Sequence, residues 1–232
     1  MSKKNKDGFE TRAIHAGQKA DPTTGAVMVP IYTSSTFEQE SPGVHKGFDY
    51  SRSANPTRKA FEECIASLEN GEAGFGFSSG VAAISACVEL LTPGDHVIAM
   101  NDLYGGTVRL FNEIKTLSQG IEVTYVDMTD IKNVEAAKTD KTKMIFVETP
   151  TNPLLKVVDL SAIADFAKSA NILSVCDNTF ASPYVQQPLE HGIDIVLHSA
   201  TKYLGGHSDL IAGALVIGKK DEELIALSLI HI

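Results

Sequence analysis

The segment Ser199-Ala200-Thr201-Lys202 places a lysine and two hydroxyl groups directly after a predicted apolar strand, with Gly205 and Gly206 behind it. A lysine in such a position can form a Schiff base with an aldehyde, and the neighbouring hydroxyls can hold a phosphate. Taken alone, the segment fits a solvated lysine among ordinary turn residues better. It therefore gains weight only where other strand ends supply matching groups.

Asp177 is a second candidate, because it directly follows the apolar run of residues 172–176. A carboxylate in that position is costly to bury unless it has a partner, and a cationic ring nitrogen would be one. A helix cap or a structurally paired aspartate explains the residue equally well.

An anion site and an aromatic ring follow two further predicted strands. Ser79-Gly80-Val81 opens a predicted helix, where free backbone N–H groups and the helix dipole attract an anion, although the glycine spacing does not match the dinucleotide fingerprint. Tyr104 offers an aromatic face, and Gly105 and Gly106 leave room above it. Together with the lysine and the carboxylate, these groups are the parts that a pyridoxal 5′-phosphate site requires.

Short apolar segments alternate with helical patterns along the chain, which predicts a mostly parallel α/β sheet. The strand segments do not alternate apolar and polar residues, so we expect helices on both faces of the sheet. Ligands of such sheets bind beyond the carboxyl ends of the strands, where the candidate groups lie. The predicted strands are 73–77, 96–100, 121–126, 143–148, 172–176, 193–197 and 211–217, and the predicted helices are 56–68, 81–91, 105–118, 131–137 and 160–169.

The chain divides into three predicted segments. Residues 1–55 are interrupted by prolines and lack a periodic apolar pattern, so we expect an extended N-terminal arm that packs on a neighbouring subunit. Residues 56–220 form the predicted cofactor-binding domain. Residues 221–232 begin a helix without an ending signal, so we expect them to lead to a missing domain and the chain to be C-terminally truncated.

The composition argues against several functions. The sequence holds 20 basic and 29 acidic residues, a formal charge of −9, which argues against a nucleic-acid partner. It has neither a signal peptide nor an apolar run of about 18 residues, so we predict no membrane association. Its three widely spaced cysteines form no C-x-x-C pair, and we therefore predict no metal site and a cytoplasmic location with reduced thiols.

Two segments resemble the cofactor region of a known family. Asp177-Asn178-Thr179-Phe180-Ala181-Ser182-Pro183 and His198-Ser199-Ala200-Thr201-Lys202-Tyr203-Leu204-Gly205-Gly206-His207-Ser208-Asp209 are similar to the Cys/Met-metabolism, or transsulfuration, enzymes. The resemblance implies an α/β, aspartate-aminotransferase-like fold of type I, with a mostly parallel central sheet, helices on both faces and an extended N-terminal arm. Further matches are Ile14-His15-Ala16-Gly17-Gln18, Tyr50-Ser51-Arg52, Asn55-Pro56-Thr57, Asp102-Leu103-Tyr104-Gly105-Gly106-Thr107 and Glu148-Thr149-Pro150-Thr151-Asn152-Pro153.

The resemblance also implies roles for the matching residues. Lys202 binds the cofactor, pyridoxal 5′-phosphate, covalently and moves protons between substrate carbons, and Asp177 pairs with the pyridine nitrogen. Tyr104 stacks on the ring and counts with Lys202 as a catalytic residue. The remaining cofactor residues are Gly80, Val81, Ser199 and Thr201 at the phosphate, Asn152 at the ring hydroxyl, and Tyr50 and Arg52 at the phosphate of the partner subunit's cofactor.

Within the family, the tract Tyr104-Gly105-Gly106-Thr107 resembles cystathionine γ-synthase and γ-lyase, whereas methionine γ-lyases carry a cysteine in place of Gly106. We expect the synthase reaction of methionine biosynthesis, in which cysteine replaces the γ-substituent of an activated homoserine. The alternatives are the γ-lyase, a carbon–sulfur lyase, and then a homoserine sulfhydrylase, a methionine γ-lyase or an inert fragment.

The resemblance further implies amino-acid substrates and self-association as a dimer or a dimer of dimers. Family members bind the substrate α-carboxylate with an arginine of a second domain, and no residue of this chain matches that arginine. We therefore expect the chain by itself to be inactive.

Overall fold

The computed structural model of the chain describes residues 7–218. Its main element is a seven-stranded sheet. The predicted linker at 221–232 lies outside the described residues. A short antiparallel pair, β1 (Gln39–Ser41) and β2 (Val44–His45), precedes the sheet. The strands of the sheet are β3 (Ala73–Phe77), β4 (His96–Met100), β5 (Glu122–Val126), β6 (Thr142–Glu148), β7 (Leu173–Asp177), β8 (Ile195–Ser199) and β9 (Gly213–Ile217).

The strand order is β3-β9-β8-β7-β6-β4-β5, which places β7 at the centre. The five strands from β8 to β5 pair in parallel, and β9 runs antiparallel to both of its neighbours, β8 and β3. Every residue of β4 and β9 is buried, so both faces of the sheet are covered there. The sheet is therefore mostly parallel, as the sequence predicts.

Polar side chains cap the starts of several helices. Asn55 accepts from the backbone N–H groups of Thr57 and Arg58 at the start of α2 (Pro56–Leu68), and Asp159 caps α7 (Leu160–Ala170) in the same way. No helix within residues 7–218 is long and apolar enough to cross a membrane. The helices are α1 (Phe9–His15), α2 (Pro56–Leu68), α3 (Gly80–Val88), α4 (Gly105–Arg109), a π-helical turn (Leu110–Lys115), α5 (Thr116–Gln119), α6 (Ile131–Ala137), α7 (Leu160–Ala170), α8 (Ser182–Val185) and a 3₁₀ turn (Pro188–His191).

Helix α1 is absent from the sequence prediction, which treats the whole arm as extended. Gly8 precedes the helix without a side-chain cap, and no residue of the helix is buried. Contacts with the end of α2 hold it instead: the Arg12 guanidinium donates to the Ser67 carbonyl and, at 2.9 Å, to Asn70 Oδ1. Because these contacts are distant in sequence, local propensity does not reveal them.

Two predicted strands begin two residues later than expected. The strand predicted at 193–197 starts at Ile195, because Asp194 is engaged by the backbone N–H and hydroxyl of Ser174, at 2.9 and 2.7 Å. The strand predicted at 211–217 starts at Gly213, because Ala212 bonds Thr201 through both its N–H and its carbonyl. Tertiary hydrogen bonds thus set these boundaries.

Glu69 and His198 form a fully buried pair that joins helix α2 to strand β8. Glu69 follows the last residue of α2, and its Oε1 lies 2.6 Å from His198 Nε2. The Asn178 side-chain amide donates to the same oxygen at 2.8 Å. All three side chains are inaccessible to solvent. These contacts therefore connect the end of α2 to the carboxyl ends of β7 and β8.

The arm has no buried residue among its described positions, 7–55. Val27, Met28 and Ile31 are 69%, 75% and 82% exposed. Large apolar side chains that stay this exposed are typical of a contact surface. That the arm packs on a neighbouring subunit stays a prediction.

The aromatic contact between Phe111 and Phe146 lies in the core, and truncating it should be costly. Their rings meet edge to face with centroids 5.4 Å apart, and both residues are fully buried. We expect Phe146→Ala to lower the free energy of unfolding by about 3–5 kcal/mol, because it leaves a cavity. Leu117→Ala, at a side chain 79% exposed, should change it by less than about 0.5 kcal/mol. Urea unfolding of both variants checks this, and equal losses would contradict the assignment of the core.

Candidate active site

A cavity of about 260 Å³ opens at the carboxyl ends of the parallel strands. Eight of the ten predicted site residues line it: Gly80, Val81, Tyr104, Asn152, Asp177, Ser199, Thr201 and Lys202. The other lining residues are Ser79, Ile84, Glu148, Thr179, Phe180 and Ile211. The structure thus brings most of the predicted residues together, and their roles stay predictions.

One end of the cavity is formed by the start of α3. Ser79 caps this helix, with its hydroxyl accepting from the Ala82 N–H at 3.1 Å, and Gly80 and Val81 follow. A Cβ on Gly80 would lie 2.7 Å from the Cβ of Ser199, so only glycine lets the helix start approach strand β8 this closely. The first N–H groups of a helix have no partner within it. This end of the cavity is therefore suited to an anion.

The Lys202 side chain lines the cavity from a tight turn after β8. The Lys202 N–H donates to the Ser199 carbonyl at 3.1 Å, and the Lys202 carbonyl accepts from Gly206 at 2.8 Å. Gly206 has a φ of +79°, and a Cβ on Gly205 would lie 2.9 Å from the Ala200 carbonyl oxygen. The two glycines are thus required by the turn that presents the lysine.

Asp177 is buried at the end of the central strand, with 7% of its surface exposed. Its Oδ1 accepts from the N–H and the hydroxyl of Thr179, and the same hydroxyl accepts from the Ser199 N–H at 2.8 Å. Burial raises the pKa of Asp177, against the lowering effect of the Thr179 bonds. No ion pair among residues 7–218 includes Asp177. A cationic group in the cavity would supply the missing partner.

Glu148 is a second buried carboxyl group in the cavity, and it has no role among those predicted from the sequence. It pairs in register with Asp177 on the neighbouring strand, is 5% exposed, and accepts from the Tyr104 N–H at 2.9 Å. Burial and the adjacent Asp177 charge raise the pKa of Glu148 to about 8. Both effects favour the protonated form of the Glu148 carboxyl group over the charged form.

The ring of Tyr104 is half-exposed at the cavity, and its orientation depends on Gly106. A Cβ on Gly106 would lie 2.3 Å from Cε1 of the ring, so a larger residue there displaces the tyrosine. The Glu148 carboxyl group holds the backbone of Tyr104 from the other side. The ring is thus placed by contacts from two separate elements.

Tyr50 and Arg52 do not line this cavity. Both lie in the arm, with their side chains on the surface, and the Arg52 guanidinium lies 5.2 Å from the Tyr50 ring centroid. The chain therefore does not bring these two predicted cofactor residues to its own site. A role at a partner subunit's site stays a prediction.

Two residues that the prediction missed carry signals in the sequence. Glu148, like Asp177, is a charged residue at the end of an apolar strand, and that position alone singles it out as a costly burial. Thr179 follows Asp177 by two residues, the spacing at which a hydroxyl reaches back to a carboxylate. Both lie in segments that resemble the family, so what the prediction missed is their roles rather than their positions.

The residues present fit a phosphorylated pyridine aldehyde. The lysine can bond the aldehyde, the helix start can take the phosphate, and the unpaired carboxyl group of Asp177 can take a protonated ring nitrogen. The open space beside the Tyr104 ring can admit a flat ring. A cavity with this set at the carboxyl ends of a mostly parallel sheet defines the class of pyridoxal-phosphate proteins.

The family model described as "Cys/Met metabolism PLP-dependent enzyme" matches residues 10–229 of the sequence. The chain belongs to this family. The predicted family and its cofactor, pyridoxal 5′-phosphate, are thereby confirmed.

Relatives with three different names match the same region. A cystathionine β-lyase of Coxiella burnetii (strain RSA 493 / Nine Mile phase I) is 59% identical over 213 residues, 92% of this chain and 55% of the relative. A cystathionine γ-synthase of Mycobacterium leprae (strain TN) is 50% identical over 219 residues, 94% of this chain and 56% of the relative. The structure of a cystathionine γ-lyase from Lactobacillus plantarum complexed with L-serine matches with a TM-score of 0.94 and 51% identity, covering 97% of this chain and 59% of that chain.

These matches confirm the predicted fold, the aspartate-aminotransferase-like fold of type I. They also confirm that the relatives are enzymes of sulfur amino-acid metabolism. The chain spans little more than half the length of the relatives it matches.

The raised pKa of Glu148 predicts a dependence of stability on pH. The folded group, with a pKa of about 8, keeps a proton that the unfolded group, with a pKa near its ordinary 4.5, has lost. The free energy of unfolding of the cofactor-free protein should therefore fall as pH rises between these two values. Glu148→Gln cannot ionise, so we expect this slope to become shallower, with Asp177 retaining a part of it.

Urea unfolding at several pH values measures the slope. Glu122→Gln is the matched control, since Glu122 is an exposed carboxylate paired with Lys141 at the surface, and it should leave the slope unchanged. An identical slope in the wild-type protein and in Glu148→Gln would contradict the burial of a neutral carboxyl group.

Proposed function

We propose that the whole protein is a pyridoxal-phosphate-dependent transsulfuration enzyme that cleaves a carbon–sulfur bond of cystathionine. The observation that carries the proposal is that Lys202 and Asp177 line the same cavity, where the Asp177 carboxyl group is buried without an ion-pair partner. The family match and the cystathionine-related names of the relatives support it.

Asp177 would hold a proton on the cofactor ring nitrogen. When bound, pyridoxal phosphate supplies an electron sink that stabilises negative charge on the substrate carbons. The Asp177 carboxylate would accept from the ring nitrogen and keep it protonated, and the two hydrogen bonds from Thr179 orient the carboxylate for this role. This pairing also relieves the cost of burying the charge.

The phosphate would bind where α3 begins. Gly80 and Val81 lie at the helix start, where backbone N–H groups have no helical partner, and Ser199 and Thr201 line the same cavity. The Thr201 hydroxyl is bonded to the backbone of Ala212, so phosphate binding would require it to exchange that partner. Asn152 would lie at the ring hydroxyl, on the side of the cavity formed by the loop after β6.

Lys202 and Tyr104 would act on the substrate. The Lys202 amine would hold the cofactor through its aldehyde and, when free, would carry protons at Nζ between neighbouring substrate carbons. The Tyr104 ring, which lines the cavity, would stack on the cofactor ring. Both groups therefore touch the reacting atoms and are the proposed catalytic residues.

The choice of a lyase reaction rests on the relatives. The β-lyase relative is 59% identical and the γ-synthase relative 50% identical. The synthase, which is the reaction expected from the sequence, is the second candidate. The tract around Gly106 resembles that of both the γ-synthases and the γ-lyases. The residues of the described cavity are compatible with either reaction.

The proposal includes an assembly and a division of labour. Residues 56–220 hold the cofactor, and residues 1–55 contact a partner subunit in a dimer or a dimer of dimers. The proposal assigns the substrate α-carboxylate to an arginine of a second domain, as the family resemblance implies. A cytoplasmic location fits the three cysteines, all of which are free thiols.

Lys202 is the residue whose loss should abolish the covalent link to the cofactor. We expect borohydride treatment of the holoenzyme to fix the cofactor to the peptide that contains Lys202, because reduction makes the bond permanent. Lys202→Ala should lose the visible absorbance band of the bound aldehyde and the activity, whereas Lys132→Ala, at an exposed helix position, should keep both. Labelling of a different lysine would contradict the assignment.

The products identify the reaction. Incubation of the whole protein with cystathionine should yield homocysteine, pyruvate and ammonia if the β carbon–sulfur bond breaks, and cysteine, 2-oxobutanoate and ammonia if the γ bond breaks. We expect a 2-oxo acid to form in either lyase case. Cystathionine formed from cysteine and O-succinylhomoserine, without cleavage of added cystathionine, would instead establish the synthase.

A further inference from the structure

We propose that Arg58 is a positioning residue that presents Tyr50 and Arg52 to the cofactor site of a second copy of this chain. It does so by holding the backbone of residues 51–53, named here the donor segment. The inference rests on the proposed function, in which the two side chains of the arm serve the partner's site.

The Arg58 guanidinium collects three consecutive carbonyl groups of the donor segment. Its Nη1 donates to the Ser51 carbonyl at 2.9 Å, and its Nη2 donates to the carbonyls of Arg52 and Ser53 at 3.2 and 3.0 Å. Three successive carbonyls turned toward one guanidinium define a specific backbone conformation. The planar fork of arginine suits this arrangement, and a lysine ammonium does not reproduce it.

Arg58 is itself anchored to the sheet. Its Nε donates to Glu62 Oε1 at 3.1 Å, and the same oxygen accepts from the Gly76 N–H of β3 at 2.9 Å. The Arg58 and Glu62 side chains are only 21% and 17% exposed. A Cβ on Gly76 would lie 3.4 Å from Arg58 Cγ, so the arginine stem packs on the strand. The donor segment is thus connected through two side chains to the central sheet.

The side chains next to these bonds are left on the surface. Tyr50 is 40% exposed, and Arg52 is exposed with its guanidinium over the Tyr50 ring. Neither lines the cavity of its own chain. The Asn55 side-chain amide adds a bond to the Ser51 hydroxyl at 2.9 Å, which fixes the segment at the start of α2. A backbone held by these hydrogen bonds therefore carries a paired ring and cation that lie outside the cavity of their own chain.

Preorganisation explains why such a clamp would be kept. A flexible segment must lose conformational entropy when it binds a partner's ligand, whereas a segment already held in place does not. Loss of Arg58 should therefore weaken cofactor binding in the partner subunit. A purely structural arginine would instead impair its own subunit.

Subunit mixing in the whole protein separates these two cases. Arg58→Leu alone should bind the cofactor at least about tenfold more weakly, because the donor segment is no longer preorganised. Lys202→Ala alone should be inactive. In a hybrid dimer, the site with the intact Lys202 receives its donor segment from the Lys202→Ala subunit, whose Arg58 is present. One of the two sites is then complete.

Random assortment of equal amounts makes half of the dimers hybrid, so we expect activity to recover to about a quarter of the wild-type value per subunit. Arg52→Ala mixed with Lys202→Ala should recover to the same extent and serves as the reference pair. Lys168→Met, at an exposed position of α7, is the control that should retain cofactor affinity without mixing.

A second variant guards against misfolding. Arg58→Lys keeps the charge and the stem that packs on Gly76, so it should fold and still need the mixed partner for activity. Failure of both Arg58 variants to recover, with recovery by the Arg52→Ala pair, would overturn the proposal and reduce Arg58 to a stabiliser of its own subunit. If no mixture recovers activity although the wild-type enzyme is active, the subunits do not share a cofactor site, and the proposal is overturned. A wild-type protein that binds no pyridoxal phosphate would instead refute the proposed function itself.

Discussion

A carboxylate buried at the end of the central strand is the constraint around which the site is arranged. Asp177 is the last residue of β7, the middle of the seven strands, and is largely shielded from solvent. No basic side chain of the described residues forms an ion pair with it. Burying such a charge without compensation is costly. The hydrogen bonds from Thr179 offset part of that cost, and the cavity in front of the strand is where the rest can be offset.

The same constraint reaches the neighbouring strands. Thr179 donates to Asp177 and accepts from Ser199, so the aspartate is connected to the strand that leads to Lys202. On the other side, Glu148 lies level with Asp177 and yields its own charge, because two adjacent buried carboxylates repel each other. Its carboxyl group then holds the backbone of Tyr104. The ends of β6, β7 and β8 are thus connected through interactions that involve Asp177.

The sequence was sufficient to predict the parts of the fold that follow from periodicity and topology. Helix α2 and strands β3 and β4 have the predicted bounds, and Lys202 and Asp177 share a cavity because parallel strands bring their carboxyl ends together. Features held by distant contacts were not predictable in this way. Helix α1 depends on Arg12 contacts with residues more than fifty positions away, and the late start of β9 depends on Thr201. The arm residues illustrate a different gap, since a single chain does not contain the surface that they are proposed to meet.

The buried pair of Glu69 and His198 fixes the end of helix α2 against the sheet. The helix begins three residues after the donor segment, and directly after its end Glu69 pairs with His198 of β8, the residue before Ser199. Its 13 residues span about 20 Å, and an α-helix is stiff over that length. The position of the segment that precedes the helix is thereby coupled to the position of the buried pair that follows it.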